Sequence, residues 1–207
     1  KSGRYSLERT VFPALLAAGF TSDEVAWDDE NGRTLVTLGG DHGNMSLPDN
    51  LGVVVIDLNG HTITVNKTTG DSGIWLDIPD GSEVWLWDSS DAETGKIVFA
   101  GDATPNSDRT GAYLIQNYGY LTIENGTYEA NLKGNWACYI IEQHVNSKAN
   151  AVFDFLGGVI NQKAYDQAIR LYNNSVNAPN SNTINIKGGV IAAGGIFIDN
   201  YNKTVVS

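Results

Sequence analysis

Cysteine occurs once in 207 residues, as Cys138, so no disulfide can form within the chain. Proline is scarce at 5, and Lys and Arg number 13 against 24 Asp and Glu, for a formal charge of −11. Phosphate recognition needs clustered basic side chains; no basic run exists, and nucleic acid is not expected as a partner. No apolar stretch approaches the ~20 residues of a membrane-spanning helix, and membrane insertion is not expected either. His42, His61 and His144 share no metal-ligand spacing. Cys138 is expected to be packed and buried, as free cysteine usually is. A nucleophilic role would need a base beside it, and His144 is the one candidate near it in sequence.

What the chain does have is glycine, 23 of them, and a phrase that returns at one spacing. It reads Ile56-Asp57-Leu58-Asn59-Gly60-His61-Thr62-Ile63, then Leu86 through Gly95-Lys96-Ile97, then Leu121 through Asn125-Gly126-Thr127-Tyr128, then Phe153 through Gly157-Gly158-Val159-Ile160, then Ile184 through Gly188-Gly189-Val190-Ile191. The closing apolar residues step by 34, 31, 32 and 31 positions. Periods of this size mark stacked repeats.

A second series interleaves with the first: Gly73–Asp77, Ala112–Asn117, Cys138–Gln143, Ala168–Asn173 and Gly195–Asn200. Aligned without gaps, it has a small column (Gly73, Ala112, Cys138, Ala168, Gly195). Two apolar columns follow at alternate positions, Ile74, Tyr113, Tyr139, Ile169, Ile196 and Leu76, Ile115, Ile141, Leu171, Ile198. Alternation with period two predicts strands with one buried face. The runs Thr127–Glu129, Val159–Asn161 and Val190–Ala192 supply a third strand per repeat. None of these strands can bury its apolar face alone, so like columns are expected to pile into one core. Asn117, Gln143, Asn173 and Asn200 end the second series at one position, and a ladder of stacked amides is predicted there, with Ile78 interrupting it in the first repeat.

The fold class predicted is all-β: a parallel β-helix of about five to six coils with an N-terminal α-helical cap. Residues 1–33 form the capping segment and 34–207 the solenoid. Within the cap, Ser6 through Gly19 reads as a helix, with Ser6 as N-cap, Glu8 at its positive end, Gly19 as its stop and Leu7, Val11, Leu15 and Leu16 as its apolar stripe. Pro13 predicts a kink or break, and Thr21–Arg33 is expected to be irregular. The chain opens on Lys1-Ser2-Gly3 and ends at Thr204–Ser207 inside a sixth repeat, so it is expected to be a piece of a longer protein.

The run Val55 through Ile63 resembles the phrase that opens right-handed parallel β-helix regions of large bacterial surface, adhesin-like proteins. The later Asn-Gly-Thr-Tyr and Gly-Gly-Val-Ile turns are similar to their repeats. The resemblance covers Leu35 to Ser207 and implies the right hand, which agrees with the rule for parallel crossovers. Pectate-lyase-like enzymes and phage tail spikes share this fold, so it implies no single activity. The function expected is a non-catalytic extracellular binding, adhesion or spacer domain on a cell surface, with a host or microbial glycan or protein as partner. The alternatives are a phage tail or spike segment, with homotrimer assembly, and a polysaccharide-degrading enzyme.

For an enzyme, paired carboxylates on one outward face are required. Asp57 and Asp154 are three repeats apart, about 14 Å by strand spacing, too far for a glycosidase pair, which needs less than ~10 Å. Asp77, Gln116, Glu142, Tyr172 and Asp199 make a better outward row, in which Asp77 and Glu142, or Glu142 and Asp199, lie about 9.6 Å apart with Arg170 close by. The catalytic set would be Asp77, Glu142, Arg170 and Asp199; the competing reading is a solvated ion-pair stripe. The calcium-binding acids of the related lyases have no match here.

For a binding domain, Trp75, Leu114, Ile140, Arg170 and Phe197 read as an outward, largely apolar column. The loop Asp102–Arg109 could cover it, identical chains could pack on it, or sugar rings could stack on Trp75 and Phe197. Trp85 and Trp87 alternate with Val84 and Leu86 and form a second candidate platform. No cofactor is expected; the turn Asp88–Gly95 offers calcium oxygen ligands in Asp88, Asp91 and Glu93 without the order of an EF-hand loop.

Overall fold

The computed structural model describes residues 11–43, 45, 47–49, 51–67, 74–101, 112–132, 138–145, 150–164, 167–173, 182–199 and 204–206. Residues 11–18 are helical. The helix runs through Pro13, where the sequence predicts a kink or a break, so the chain does not break there. It closes in a Schellman turn: Gly19, at φ 118°, donates its N–H to Leu16 O at 3.1 Å, and Phe20 N–H reaches Leu15 O at 3.2 Å. Val11, Leu15 and Phe20 join the core, whereas Leu16, expected on the apolar stripe, is 43% exposed. Ser6, Leu7 and Glu8 lie outside the described residues.

The strands come in threes. They are β1 Val25–Asp28, β2 Arg33–Thr37, β3 His42–Gly43; β4 Val53–Asp57, β5 Thr62–Lys67, β6 Ile74–Ile78; β7 Glu83–Trp87, β8 Lys96–Gly101, β9 Ala112–Asn117; β10 Tyr120–Ile123, β11 Thr127–Leu132, β12 Cys138–Val145; β13 Ala151–Phe155, β14 Val159–Gln162, β15 Gln167–Asn173; β16 Asn182–Ile186, β17 Val190–Ala193, β18 Gly195–Asp199; and β19 Thr204–Val206. Strand β1 occupies the stretch expected to be irregular. Sheet one orders β1-β2-β4-β7-β10-β13-β16-β19, sheet two β3-β5-β8-β11-β14-β17, and sheet three β6-β9-β12-β15-β18. From β4 onward the chain enters sheets one, two and three in strict rotation. Only the β1–β2 pairing among the described strands is antiparallel. The protein is thus all-β, three parallel sheets with one short helix among the described residues.

The repeat phrase sets the register of sheet two. Ile63, Ile97, Tyr128, Ile160 and Ile191 lie opposite one another in succession, and the first four are fully buried. Turns from sheet one into sheet two carry the glycines: Asn59 and Gly60 have φ 45° and 80°, Gly126 and Gly158 88°, and Gly189 79°. That left-handed conformation is easy only for Gly and, at a cost, Asn.

Sheet three departs from the predicted alternation in two ways. First, two consecutive residues per strand enter the core: Trp75 and Leu76, Leu114 and Ile115, Ile140 and Ile141, Ala168 and Ile169, each at 1% exposure or less. The column Trp75, Leu114, Ile140 is therefore core, not an exposed stripe. Tyr113 and Tyr139, expected inside, stand outside the core cluster. The pairings show the irregularity: Ile74 faces Tyr113 and Leu76 faces Ile115, then Tyr113 faces Tyr139 and Ile115 faces Ile141, with the residue between skipped each time.

Second, the register slips by two between β12 and β15. Ile141 faces Ile169 and Gln143 faces Leu171, while Asn173 faces Val145. The predicted ladder shrinks to Asn117 and Gln143, which face each other. The same offset takes Ala168 away from Cys138, so the small column does not persist. Asn117 Nδ2 donates to Gln143 Oε1 at 2.7 Å and to Val152 O at 2.8 Å, and Gly119 N–H donates to Asn117 Oδ1 at 3.0 Å. These bonds fasten the corner between sheets three and one. At the corner between sheets two and three, Gln162 Nε2 does the same for Cys138 O at 2.7 Å. Gly73, Asn200 and the loop Asp102–Arg109 lie outside the described residues.

Candidate functional site

Past the double inward step, alternation resumes in sheet three, and one outward row holds Asp77, Gln116, Glu142 and Arg170 side by side. The next outward row pairs His144 with Tyr172. Glu142 is 1% exposed, too little for a solvated surface acid. Its Oε1 accepts from Gln116 Nε2 at 2.6 Å and lies 3.2 Å from His144 Nδ1, and its Oε2 accepts from Arg170 Nη1 at 3.1 Å. These partners engage both oxygens of the buried carboxyl; removing one partner of such a buried pair costs about 3–5 kcal/mol.

Aromatic rings enclose the cluster. Tyr113 and Tyr139 stack at 5.7 Å, and the Arg170 guanidinium lies 5.3 Å from the Tyr139 ring and 4.4 Å from that of Tyr172. His144 stacks on Tyr118 at 4.6 Å and meets Tyr172 edge-on at 4.8 Å. Burial pushes the Tyr118 hydroxyl up to about 12, with the charges of Asp77 and Glu142 adding to it. Burial, then the Asp49 charge, raises the Asp77 carboxyl above its ordinary value, and His144 partly opposes them.

The aromatic candidates separate. Trp75 is 1% exposed and in the core, because of the double inward step, so it cannot stack on a ligand. On β7 the alternation holds: Val84 and Leu86 are core, while Trp85 is half-buried and Trp87 39% exposed on the opposite face. Trp85 Nε1 donates to Glu83 Oε1 at 2.6 Å, which orients the indole. Trp85 lies between Val55 and Thr122, and Tyr120, 52% exposed, sits opposite Glu83. Tyr120 was not singled out in the sequence, although it begins the strand two residues before Thr122 on the same face.

The comparisons add no relative. No family model, curated protein or solved structure matches this chain.

Other predicted residues fall as follows. Phe197 and Asp199 pair through their backbones with Arg170 and Tyr172, and their side chains lie outside the described part. Asp199 therefore belongs to the row of His144 and Tyr172, and the row predicted to run Glu142, Tyr172, Asp199 is replaced by Glu142, Arg170, Phe197. Asp57 shares a row with Trp87, whereas Asp154 shares one with Thr122 and Trp85. Asp88 is 1% exposed, and its carboxylate accepts from the N–H groups of Gly60, Ser90 and Gly95 at 2.8, 3.2 and 2.6 Å. Its oxygens organise the turn, while Asp91 and Glu93 stand exposed; no three acids, histidines or cysteines among the described residues converge for a metal. Cys138 is buried, and burial pushes its thiol up to about 12.

His144 is the functional candidate that sequence reasoning passes over. It was weighed only as a base for Cys138 or a metal ligand. Continuing the alternation two residues past Glu142 would have put it on the same outward face.

Proposed function

We propose that the three sheets wrap one axis as a right-handed parallel β-helix of about five to six coils, capped by the N-terminal helix, and that this shaft is a non-catalytic extracellular binding domain of a bacterial surface protein with a glycan as ligand. The strict rotation of strands among three sheets supports the winding, and the preference of parallel crossovers supports the hand. The observation that carries the function is the pair Trp85 and Trp87, one pleat apart on an outward face, with Tyr120 opposite Glu83 and diagonal to Trp85. Flat aromatic faces held by a rigid strand offer stacking area at little entropic cost.

Glycan-array binding followed by calorimetry on Trp85→Ala and Trp87→Ala tests this reading. A loss of about tenfold or more per substitution is expected, the weight of one good stacking contact. Unchanged affinity in both variants would overturn it, and cleavage of a polysaccharide bond would end the non-catalytic part. Mass in solution separates the phage-spike alternative, which requires a stable trimer.

A polysaccharide-degrading reading on Asp77, Glu142, Arg170 and Asp199 has less in its favour. Both oxygens of Glu142 are engaged by Gln116, Arg170 and His144, which suits a framework group better than a base or nucleophile.

A further inference from the structure

The aromatic pair on sheet one has an acidic rim. Trp85 and Trp87 point outward from β7, about 6.8 Å apart by strand rise. Glu83 begins the same strand and stands between Val53 and Tyr120, both exposed. Its Oε1 accepts from Trp85 Nε1 at 2.6 Å, so a carboxylate is held at the edge of the indole. Glu124 lies toward the other end of the pair. It follows Ile123, which faces Leu86, so it comes level with Trp87, and it is exposed.

Elsewhere on this sheet positive and negative groups are matched. Lys187 lies 3.7 Å from Asp154, and Arg33 lies 3.0 Å from Asp28. Among the described residues neither Glu83 nor Glu124 meets a Lys, Arg or His within ion-pair distance. The chain as a whole carries −11, so its net field does not offset them. A uronate or other anionic glycan laid on the indoles would meet two like charges, which suppresses binding. A cationic one gains twice, from the carboxylates and from the indole face, the best aromatic partner for an ammonium. Resting on the glycan reading of Trp85 and Trp87, we propose that the ligand of this face is an amino-sugar polymer with free ammonium groups. Its rings lie on the two indoles, and its ammonium groups stand against Glu83 and Glu124.

Calorimetry on the 207-residue chain at mildly acidic pH, where sugar amines are charged, compares three hexamers: β-1,4-linked glucosamine, its fully N-acetylated counterpart, and galacturonate. The glucosamine hexamer should bind about tenfold tighter than the acetylated one, the combined weight of a cation–π contact and an exposed ion pair. That preference should shrink as sodium chloride rises, and galacturonate should bind weakest of the three. Glu83→Gln/Glu124→Gln should abolish the preference, since Gln keeps an oxygen for the Trp85 bond but carries no charge. Acetylating the ligand tests the same point without altering the protein. If the acetylated hexamer binds as tightly as the amine, or galacturonate binds tighter, the cationic ligand is overturned while the glycan reading stands. If no hexamer binds, neither survives. If hexalysine binds as well as the glucosamine hexamer and Trp85→Ala/Trp87→Ala leaves both unchanged, charge alone is being read and the amino-sugar proposal is overturned.

Discussion

Ile141 lies opposite Ile169, two residues short of the Leu171 that a gap-free alignment of the repeats places there. Because the slip is even, Ile169 and Leu171 stay inward, and Asn117 and Gln143 are left as an isolated pair, both fully buried. Asn117→Ala removes bonds to Gln143, Val152 and Gly119 and strands buried backbone groups, each worth ~1–3 kcal/mol. Urea unfolding should show a loss of about 2–5 kcal/mol. Gln143→Ala, whose remaining bond is a 3.3 Å contact to Thr183 O, should cost less. The reverse order would contradict the role of Asn117 as the corner's fastening.

Trp75 and Trp87, both outward by strict alternation, should behave as opposites, because only Trp87 keeps that facing. Trp75→Ala empties a large volume in the core and should cost about 3–5 kcal/mol. Trp87→Ala removes a 39% exposed side chain and should move stability by no more than about 0.5 kcal/mol, while weakening glycan binding. Thermal melts of the two variants decide the matter: comparable destabilisation would mean that Trp87 is packed, not presented.

The same two tryptophans show what was legible. Strands β7 and β13 of sheet one keep a clean period of two, as in Val84, Leu86 and the outward Trp85 and Trp87, so facing could be read directly. The closing apolar residues of each repeat fixed the register of sheet two for a similar reason: the turns before them demand Gly or Asn, and those residues anchor the alignment. In sheet three nothing in the letters marks the double inward step, since Trp75-Leu76 and Ile140-Ile141 read equally well as one residue in and one out. Nor could the slip be seen, because Ile169 and Leu171 fill an inward slot about equally well. The candidate cluster was half visible for that reason. Asp77 and Glu142 share the predicted row, but Arg170 entered it and Asp199 left it.

Gly158, in a turn from sheet one into sheet two, and Gly81, in the turn from β6 of sheet three into β7 of sheet one, should separate steric from purely conformational costs. Gly158 and Gly81 have similar positive φ, 88° and 80°. A Cβ on Gly158 would run into Gly126 O and the Asn125 backbone, whereas nothing lies within 4 Å of one on Gly81. Gly81→Ala should therefore cost only the ~1–2 kcal/mol of a left-handed alanine. Gly158→Ala should cost clearly more, since the obstructing atoms are backbone held by the Val159 N–H to Gly126 O bond of 2.9 Å. Equal midpoints in denaturant would show that the turn at Gly158 is not seated closely on the turn at Gly126.

Glu24 should make the N-terminal end of the fold acid-sensitive. Burial alone would raise its carboxyl, but the N–H groups of Thr21 and Gly39, both 2.8 Å away, and His42 Nε2 at 2.8 Å outweigh that and hold it at about 2. A carboxyl depressed on folding stabilises the native state above its unfolded value of about 4.5, and that contribution fades as pH falls toward the folded value. The loss should thus spread between pH 4.5 and about 2 and amount to roughly 3 kcal/mol at most, at 1.36 kcal/mol per unit. Denaturant melts of Glu24→Gln across this window should lack that slope and resemble the parent chain most closely at the acid end. A parent and variant with parallel pH profiles would mean that Glu24 stays protonated or solvated in the folded protein, and that the turn from the helix into β1 is held by something else.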